Sequence, residues 1–151
     1  MKLAEGEARR RLGAARVARL ATVGRPGSPH LVPVTFAAAG DRIYTAVDAK
    51  PKTTRDLRRL RNIRENPLVA VLADHYDEDW SRLWWVRADG HASIMDAPGD
   101  MAGPIRLLTE QYPQYRRSPP AGPVICVAVD RWAGWAASGG QAARLSRGEA
   151  P

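Results

Sequence analysis

Apolar residues in this chain recur mainly at every second position, in short runs separated by Gly- and Pro-containing turns. That period belongs to β-strands with one buried face. Residues 17–23 (VARLATV) form the first such run, and GRPGS at 24–28 reads as a turn. Over residues 28–37, His30, Val32, Val34 and Phe36 share one face, and Leu31, Pro33, Thr35 and Ala37 the other. A turn at 39–41 leads into a third run, 41–47. Three strands joined by short turns predict an antiparallel meander. Residues 68–73 (LVAVLA) are apolar on both faces, which predicts a strand covered on both sides. Over 82–94 the even positions Trp84, Val86, Ala88, Ala92 and Ile94 predict a core face, with Gly90 at a bulge. Residues 124–129 (VICVAV) are a last buried strand, followed by Trp132 and Trp135.

The period changes three times. Leu3, Ala8, Leu12 and Ala15 predict a helix over 3–16, weakened near its end by Gly13. Leu57, Leu60 and Ile63 predict a second over 53–65, stopped by Asn66-Pro67. Met101, Ile105 and Leu108 predict a third over 98–112. The expected fold is mainly β with flanking helices. Its six antiparallel strands close into a small barrel, because closure removes exposed edges.

The 151 residues fit one domain, expected over 1–137, with 138–151 a flexible Gly-, Ala- and Arg-rich tail. No run approaches the roughly 20 apolar residues of a membrane span. The first residues lack an apolar segment of signal-peptide type, so a cytoplasmic protein is expected. A single cysteine, Cys126, excludes an internal disulfide and a Cys-cluster metal site. The net charge of +7 favours anionic partners. However, 20 of the 23 basic residues are Arg, beside abundant Ala, Gly and Pro. That is the composition of a GC-rich genome, so the placement of the few lysines is the better guide.

Two of the three lysines lie in Lys50-Pro51-Lys52-Thr53-Thr54-Arg55, at the predicted start of the second helix. Unpaired helix N–H groups, two ammonium groups, hydroxyls and a guanidinium together suit a phosphate. The same residues also suit a plain N-cap with solvated lysines, and spacing alone does not separate the two. No P-loop or dinucleotide fingerprint is present. Asp74-His75-Tyr76-Asp77-Glu78-Asp79 clusters acids around a histidine, but the spacing is not that of a calcium loop. A solvated connection is the favoured reading, and no metal site is expected. Trp80, Trp84 and Trp85 fall within six residues. Trp84 shares the core face, whereas Trp85 lies with Arg87 on the other, where an indole and a cation suit a planar ligand or a partner subunit. Cys126 reads as a small core residue. No nucleophile signature is visible, so an enzyme of this kind needs a bound cofactor for its chemistry.

Taken in order, RLATVGRPGSPHLVPVTF, DRIYTAVDAKPKTTRDLRRLRNIRENPLVAVLADHY, DEDWSRLWWVRADGHASI, YPQY and VICVAV resemble the pyridoxamine 5′-phosphate oxidase-like split β-barrel superfamily. The resemblance is nearest to its F420-dependent oxidoreductases and covers roughly residues 10–137. It implies a homodimer of split barrels with coenzyme F420, a deazaflavin with a phosphodiester and oligoglutamyl tail, held at the subunit interface. It implies that Pro33, Val34 and Thr35 line the deazaflavin ring. Thr45, Lys50, Lys52 and Thr53 would hold the phosphate, with Arg55 beside them. Trp85 and Arg87 would come from the opposite subunit, and the basic helix 55–64 would face the anionic tail. Tyr76 is a candidate proton source, alongside solvent. No catalytic side chain is otherwise expected.

Arg42-Ile43-Tyr44-Thr45 loosely follows the pattern of the superfamily's FMN-binding oxidases, so FMN is the alternative cofactor. A third reading is a basic nucleic-acid-binding module using Arg58, Arg59, Arg61 and Arg64; the recognised nucleic-acid motifs are absent, and the expectation is no nucleic acid and no membrane. A cofactor carrier or haem-binding relative without turnover is a fourth. The expected partners are a second copy of the chain and a small organic hydride acceptor.

Overall fold

The computed structural model describes residues 1–47 and 57–138. The chain runs α1 (Glu5–Ala14), β1 (Ala18–Val23), β2 (Pro29–Val34), β3 (Ala37–Ala39), β4 (Arg42–Ala46), α2 (Arg58–Glu65), β5 (Leu68–His75), a 3₁₀ turn (Trp80–Arg82), β6 (Trp84–Met95), α3 (Pro98–Gln111), α4 (Pro113–Arg117) and β7 (Val124–Ala136). The strands form one antiparallel sheet in the order β2-β1-β5-β6-β7-β4-β3. Its two edges, β2 and β3, are consecutive in the chain and separated only by Thr35 and Phe36. Laid flat, such edges would stand about 29 Å apart at the usual strand spacing. The three residue steps from Val34 to Ala37 reach at most about 11 Å. The sheet is therefore curled back on itself, with the 35–36 step as its seam.

The seam corrects two sequence expectations. Residues 28–37 are two strands rather than one, which makes seven strands instead of six. The meander is also replaced: β2 pairs with β1, whereas β3 pairs with β4 at the opposite edge. The alternation survives the break, since Val34 and Phe36 are both buried, and periodicity alone does not reveal a change of partner. Pro29 and Pro33 fit β2 because an edge strand leaves one row of N–H groups unused.

β7 is longer than the expected 124–129 and includes Trp132 and Trp135. Its register against β6 shifts at Asp89/Gly90, so Val129 pairs with Gly90, Arg131 pairs with Asp89, and Asp130 is the extra residue. Inward positions change from odd (Ile125, Val127, Val129) to even (Trp132, Gly134, Ala136) across that bulge, which hides the continuity of the strand. Gly90 sits at the bulge as expected; a Cβ there would lie 2.2 Å from the carbonyl oxygen of Ala128. In β5, Val69, Val71 and Ala73 are buried, but Ala70 and Leu72 are only half-buried and Leu68 is exposed. Within one chain, the outer flank of β5 is therefore only partly covered.

The curl encloses Leu20, Phe36, Ile43, Val71, Val86, Ile125 and Val127, and α1 adds Leu12 to the same core. α2 contributes Leu60 and Ile63, with Leu57 packed at its start, as the spacing predicts. Asn62 is buried on this helix, and its Nδ2 donates to Thr22 Oγ1 at 3.0 Å, so two buried polar groups satisfy each other. On the opposite face of the sheet, α3 places Leu108 and Tyr112 against Ala37. α1 is tied to the sheet by Arg9, which bonds Asp41 at 2.5 Å and lies 5.5 Å over the Trp132 ring. The Trp132 indole N–H also donates to Asp41, and then Arg9 joins it in holding that carboxyl below its usual range.

Two glycines test this packing with opposite signs. Gly90→Ala drives a methyl into backbone and is expected to cost about 3 kcal/mol. Gly13→Ala, in α1 with nothing within 4 Å of the added atom, is expected to gain about 0.5–1 kcal/mol. Urea unfolding of the two variants checks both signs.

Candidate functional site

The seam is where backbone leaves the sheet, and side chains hold it. The Tyr112 hydroxyl, at the end of α3, accepts from the Phe36 N–H at 3.0 Å. It faces the carbonyl oxygens of Phe36 and Arg16 at 3.0 and 2.9 Å, and its one proton serves them. Burial pushes the phenol above its ordinary value, so it remains a donor. On α4, the Tyr115 hydroxyl lies 2.8 Å from Thr35 Oγ1, and the two tyrosine rings meet edge to face at 5.7 Å. Thr35 is half-buried beside this pair, Val34 points into the core, and Pro33 is exposed on the outer face. Neither tyrosine was singled out from the sequence; the available signal was the YPQY spacing, which puts both hydroxyls on one side of a short turn.

Thr45 is buried in β4, one residue before the strand ends at Ala46. Val47 then donates its N–H to the carbonyl of Pro123 at 3.0 Å. Lys50, Lys52, Thr53 and Arg55 lie outside the described residues. The chain re-emerges at Leu57 into α2, whose Arg58, Arg59, Arg61 and Arg64 make it strongly cationic. His30 faces this helix from β2. Burial, then Arg58 and Arg59, push its imidazole below the ordinary value, and its Nδ1 is buried without a hydrogen-bond partner among the described residues.

Trp85 and Arg87 occupy the other face of the sheet. Pro33, Arg19, Leu72, Arg87 and Ala133 form one row across β2, β1, β5, β6 and β7. Trp85 stands one pair further along β6, opposite Asp74 on β5 and Trp135 on β7. The Arg87 guanidinium lies 5.9 Å from the Trp85 ring and makes a two-pronged bond to Asp89 at 2.8 and 3.2 Å. Arg131 adds a bond to the same carboxylate at 3.1 Å. Burial raises the Asp89 carboxyl, but the two guanidiniums outweigh it and it titrates below the usual range. Leu31, Leu68, Trp85 and Trp135 are 66%, 56%, 36% and 38% exposed on this outer face. Within one chain, Val34 and Thr45 point inward, whereas Pro33, Trp85 and Arg87 lie on the outer face, so the run 33–35 is itself divided between the two faces.

The acidic run is a connection with local bonds. Asp74 pairs with Arg19 at 3.1 Å, and Asp77 lies 3.6 Å from both His75 and Arg82. Asp79 accepts from the Ser81 N–H and hydroxyl. Among the described residues no three His, Cys, Asp or Glu side chains converge as a metal site would require. Tyr76 is exposed beside this connection. Cys126 is buried, and burial pushes its thiol up, away from a reactive thiolate.

Residues 4–136 match the family model described as pyridoxamine 5′-phosphate oxidase. No curated protein matches the chain significantly. Among solved structures, a conserved hypothetical protein of Mycobacterium tuberculosis superposes with a TM-score of 0.71 at 22% identity, over 89% of this chain and 86% of that one. An FAD-binding protein of Mesorhizobium loti gives 0.68 at 21% identity, over 89% and 95%. A heme storage protein of Vibrio cholerae gives 0.66 at 14% identity, over 87% and 90%. At these identities the likeness establishes the fold.

The two tyrosines should differ in unfolding experiments. Tyr112→Phe leaves the Phe36 N–H unpaired in a buried place and is expected to cost about 1–3 kcal/mol. Tyr115→Phe, half-buried and beside a hydroxyl that solvent can reach, is expected to cost less than about 1 kcal/mol. Equal losses in urea titrations would remove Tyr112 as the fastener of the seam.

Proposed function

The chain belongs to the pyridoxamine 5′-phosphate oxidase family, and from that premise we propose that it is an oxidoreductase working with coenzyme F420 at a site shared by two copies of the chain. One observation carries this reading: Thr35 stands at the seam beside Tyr115, whereas Trp85 and Arg87, which the resemblance assigns to the same cofactor, lie on the outer face of the sheet. A ligand that touches both groups needs a second copy. The outer face suits that second copy, since Leu31, Leu68, Trp85 and Trp135 expose apolar surface among Arg19, Arg87 and Arg131.

The chemistry of the residues supports such a cofactor. The half-buried seam at Thr35 offers a ledge beside two hydroxyls for the edge of a planar ring. The arginines of α2, with Lys50, Lys52 and Arg55 ahead of it in the chain, supply positive charge, and Thr53 a hydroxyl, for a phosphodiester and a carboxylate-rich tail. Trp85 of the partner subunit would cover the ring, and Arg87 of the partner subunit would stand beside it. The cofactor, when bound, supplies hydride transfer to a small organic acceptor. The protein's share is orientation, exclusion of water and a fixed field. The Thr35–Tyr115 pair holds a proton between two oxygens at the edge of the ledge, and solvent replenishes it.

A second reading, FMN or FAD in the same place, draws on the Mesorhizobium loti neighbour, described as FAD-binding, and on the loose match at Arg42-Ile43-Tyr44-Thr45. A yellow protein on purification would favour it.

Titration of F420 fluorescence is expected to saturate, and Lys52→Ala to weaken binding about tenfold, the effect of one charged hydrogen bond. FMN binding with no F420 binding would transfer the function to the second reading. Light scattering is expected to give a dimer, and Trp135→Glu a monomer with lost cofactor affinity. A wild-type monomer that binds cofactor fully would end the shared-site account.

A further inference from the structure

A separate cleft lies where α1 crosses the ends of β5, β6 and β7. It is an open, mostly polar cleft of about 490 Å³ lined by Arg11, His75, Ser81, Arg82, Trp84 and Ser138, with Leu83 and Ala136 as its small apolar side. That volume lies in the range of small-ligand sites. It shares no residue with the seam, α2 or the Trp85–Arg87 row.

Its floor is built around one guanidinium. Arg11 is 16% exposed, and its Nε donates to Glu7 at 2.7 Å. Glu7 also takes two bonds from Arg10, at 2.9 and 2.7 Å. Hydrogen bonds from Arg10, then Arg11, hold its carboxyl down at about 2, so it stays ionised and fixes the Arg11 side chain in place. The Arg11 carbon Cζ sits 5.6 Å from the centre of the Trp84 ring. His75 stacks near the same indole, with centroids 6.3 Å apart and planes 20° from parallel. Arg11 thus spends its Nε on Glu7, while its two terminal nitrogens make no hydrogen bond to the described residues. A guanidinium held by its Nε with its Cζ 5.6 Å from an indole centre presents its two terminal nitrogens as a fork, the geometry that recognises a carboxylate with two parallel bonds.

The cleft presents two guanidiniums to a ligand. Arg11 and Arg82 face it, with His75 between them. Against them stand Glu7, already shared between Arg10 and Arg11; Asp77, 3.6 Å from both His75 and Arg82 and hydrogen-bonded by neither; and Asp79, which is near Arg82 and accepts from Ser81. The rim is stitched by the Ser138 hydroxyl on the Ser81 carbonyl at 2.8 Å and by the Ala137 N–H on the Leu83 carbonyl at 2.9 Å. The cleft is therefore built by four segments of chain rather than by one loose loop.

We propose that this cleft is a second ligand site, for a small aromatic carboxylate. The carboxylate lies on the Arg11 fork with Arg82 at the rim, and the ring lies against Leu83, Ala136 and the edge of Trp84. The site is independent of the cofactor reading.

Benzoate and its neutral isostere benzamide are the probes, and the Trp84 indole N–H resonance, assigned with Trp84→Phe, is the readout. Benzoate is expected to shift that resonance saturably, and benzamide to bind at least about tenfold more weakly, since it cannot form a charged bidentate pair. Arg11→Gln is expected to weaken benzoate about tenfold, with F420 or flavin binding unchanged. If Arg11→Gln does not fold, Arg11→Lys replaces it: it keeps the charge but not the fork, and it too should lose affinity. Equal binding of the two probes, no shift with benzoate, or wild-type affinity in the Arg11 variant would each overturn the proposal.

Discussion

The Tyr112 hydroxyl accepts from the Phe36 N–H and faces the carbonyls of Phe36 and Arg16. Those groups belong to the step between the two sheet edges and to the chain entering β1. A curled sheet whose edges are consecutive in sequence must leave its hydrogen-bond ladder at that step. The backbone groups set free there are buried, and each would cost free energy unless paired. A phenol is suited to this work because it accepts and donates from one atom, and burial keeps it protonated. α3 is held against Ala37 by the same residue, so the cover of that side of the sheet and the closure of the seam are one event.

From the seam follows the placement of everything a ligand could touch. Thr35 stands at the break because it belongs to neither strand, and Tyr115 reaches it only because α4 continues from Tyr112. The antiparallel register then carries alternate residues of β6 to opposite sides, Trp84 and Val86 inward, Trp85 and Arg87 outward. One tryptophan serves the cleft under α1, and its neighbour serves the outer face. The Arg87–Asp89–Arg131 network fixes charged side chains on a surface that also exposes Leu31 and Leu68. Such a mixture of apolar area and ordered charge has the make-up of a recognition surface.

The positions of most strands, the core faces of β6 and α2, and the Gly90 bulge were legible in the sequence, because each depends on neighbours along the chain: a period of two or 3.6, a proline stop, a missing side chain. The family resemblance was legible too, from ordered runs rather than from one motif. The break at 35–36 was not, since alternation continues through it and only the choice of pairing edge changes. Nor was the full length of β7, where the Asp130 bulge exchanges inward and outward positions. The outer flank of β5 shows a related limit: an apolar residue states a preference for burial, and the surrounding elements decide whether cover arrives within the chain.

The candidate site divides along the same line. Sequence determined which residue types are present: a cationic stretch into α2, a Trp-x-Arg pair, a VPVTF run and two tyrosines three apart. Tertiary structure decided which of them meet. It joined Tyr112 and Tyr115 to the seam, sent Trp85 and Arg87 to the far face, and drew Arg11, His75 and Trp84 together from α1, β5 and β6. The physical reason is that side-chain chemistry and local periodicity are properties of short segments, whereas proximity between distant segments is set by how one sheet curls to pair its backbone and bury its apolar face.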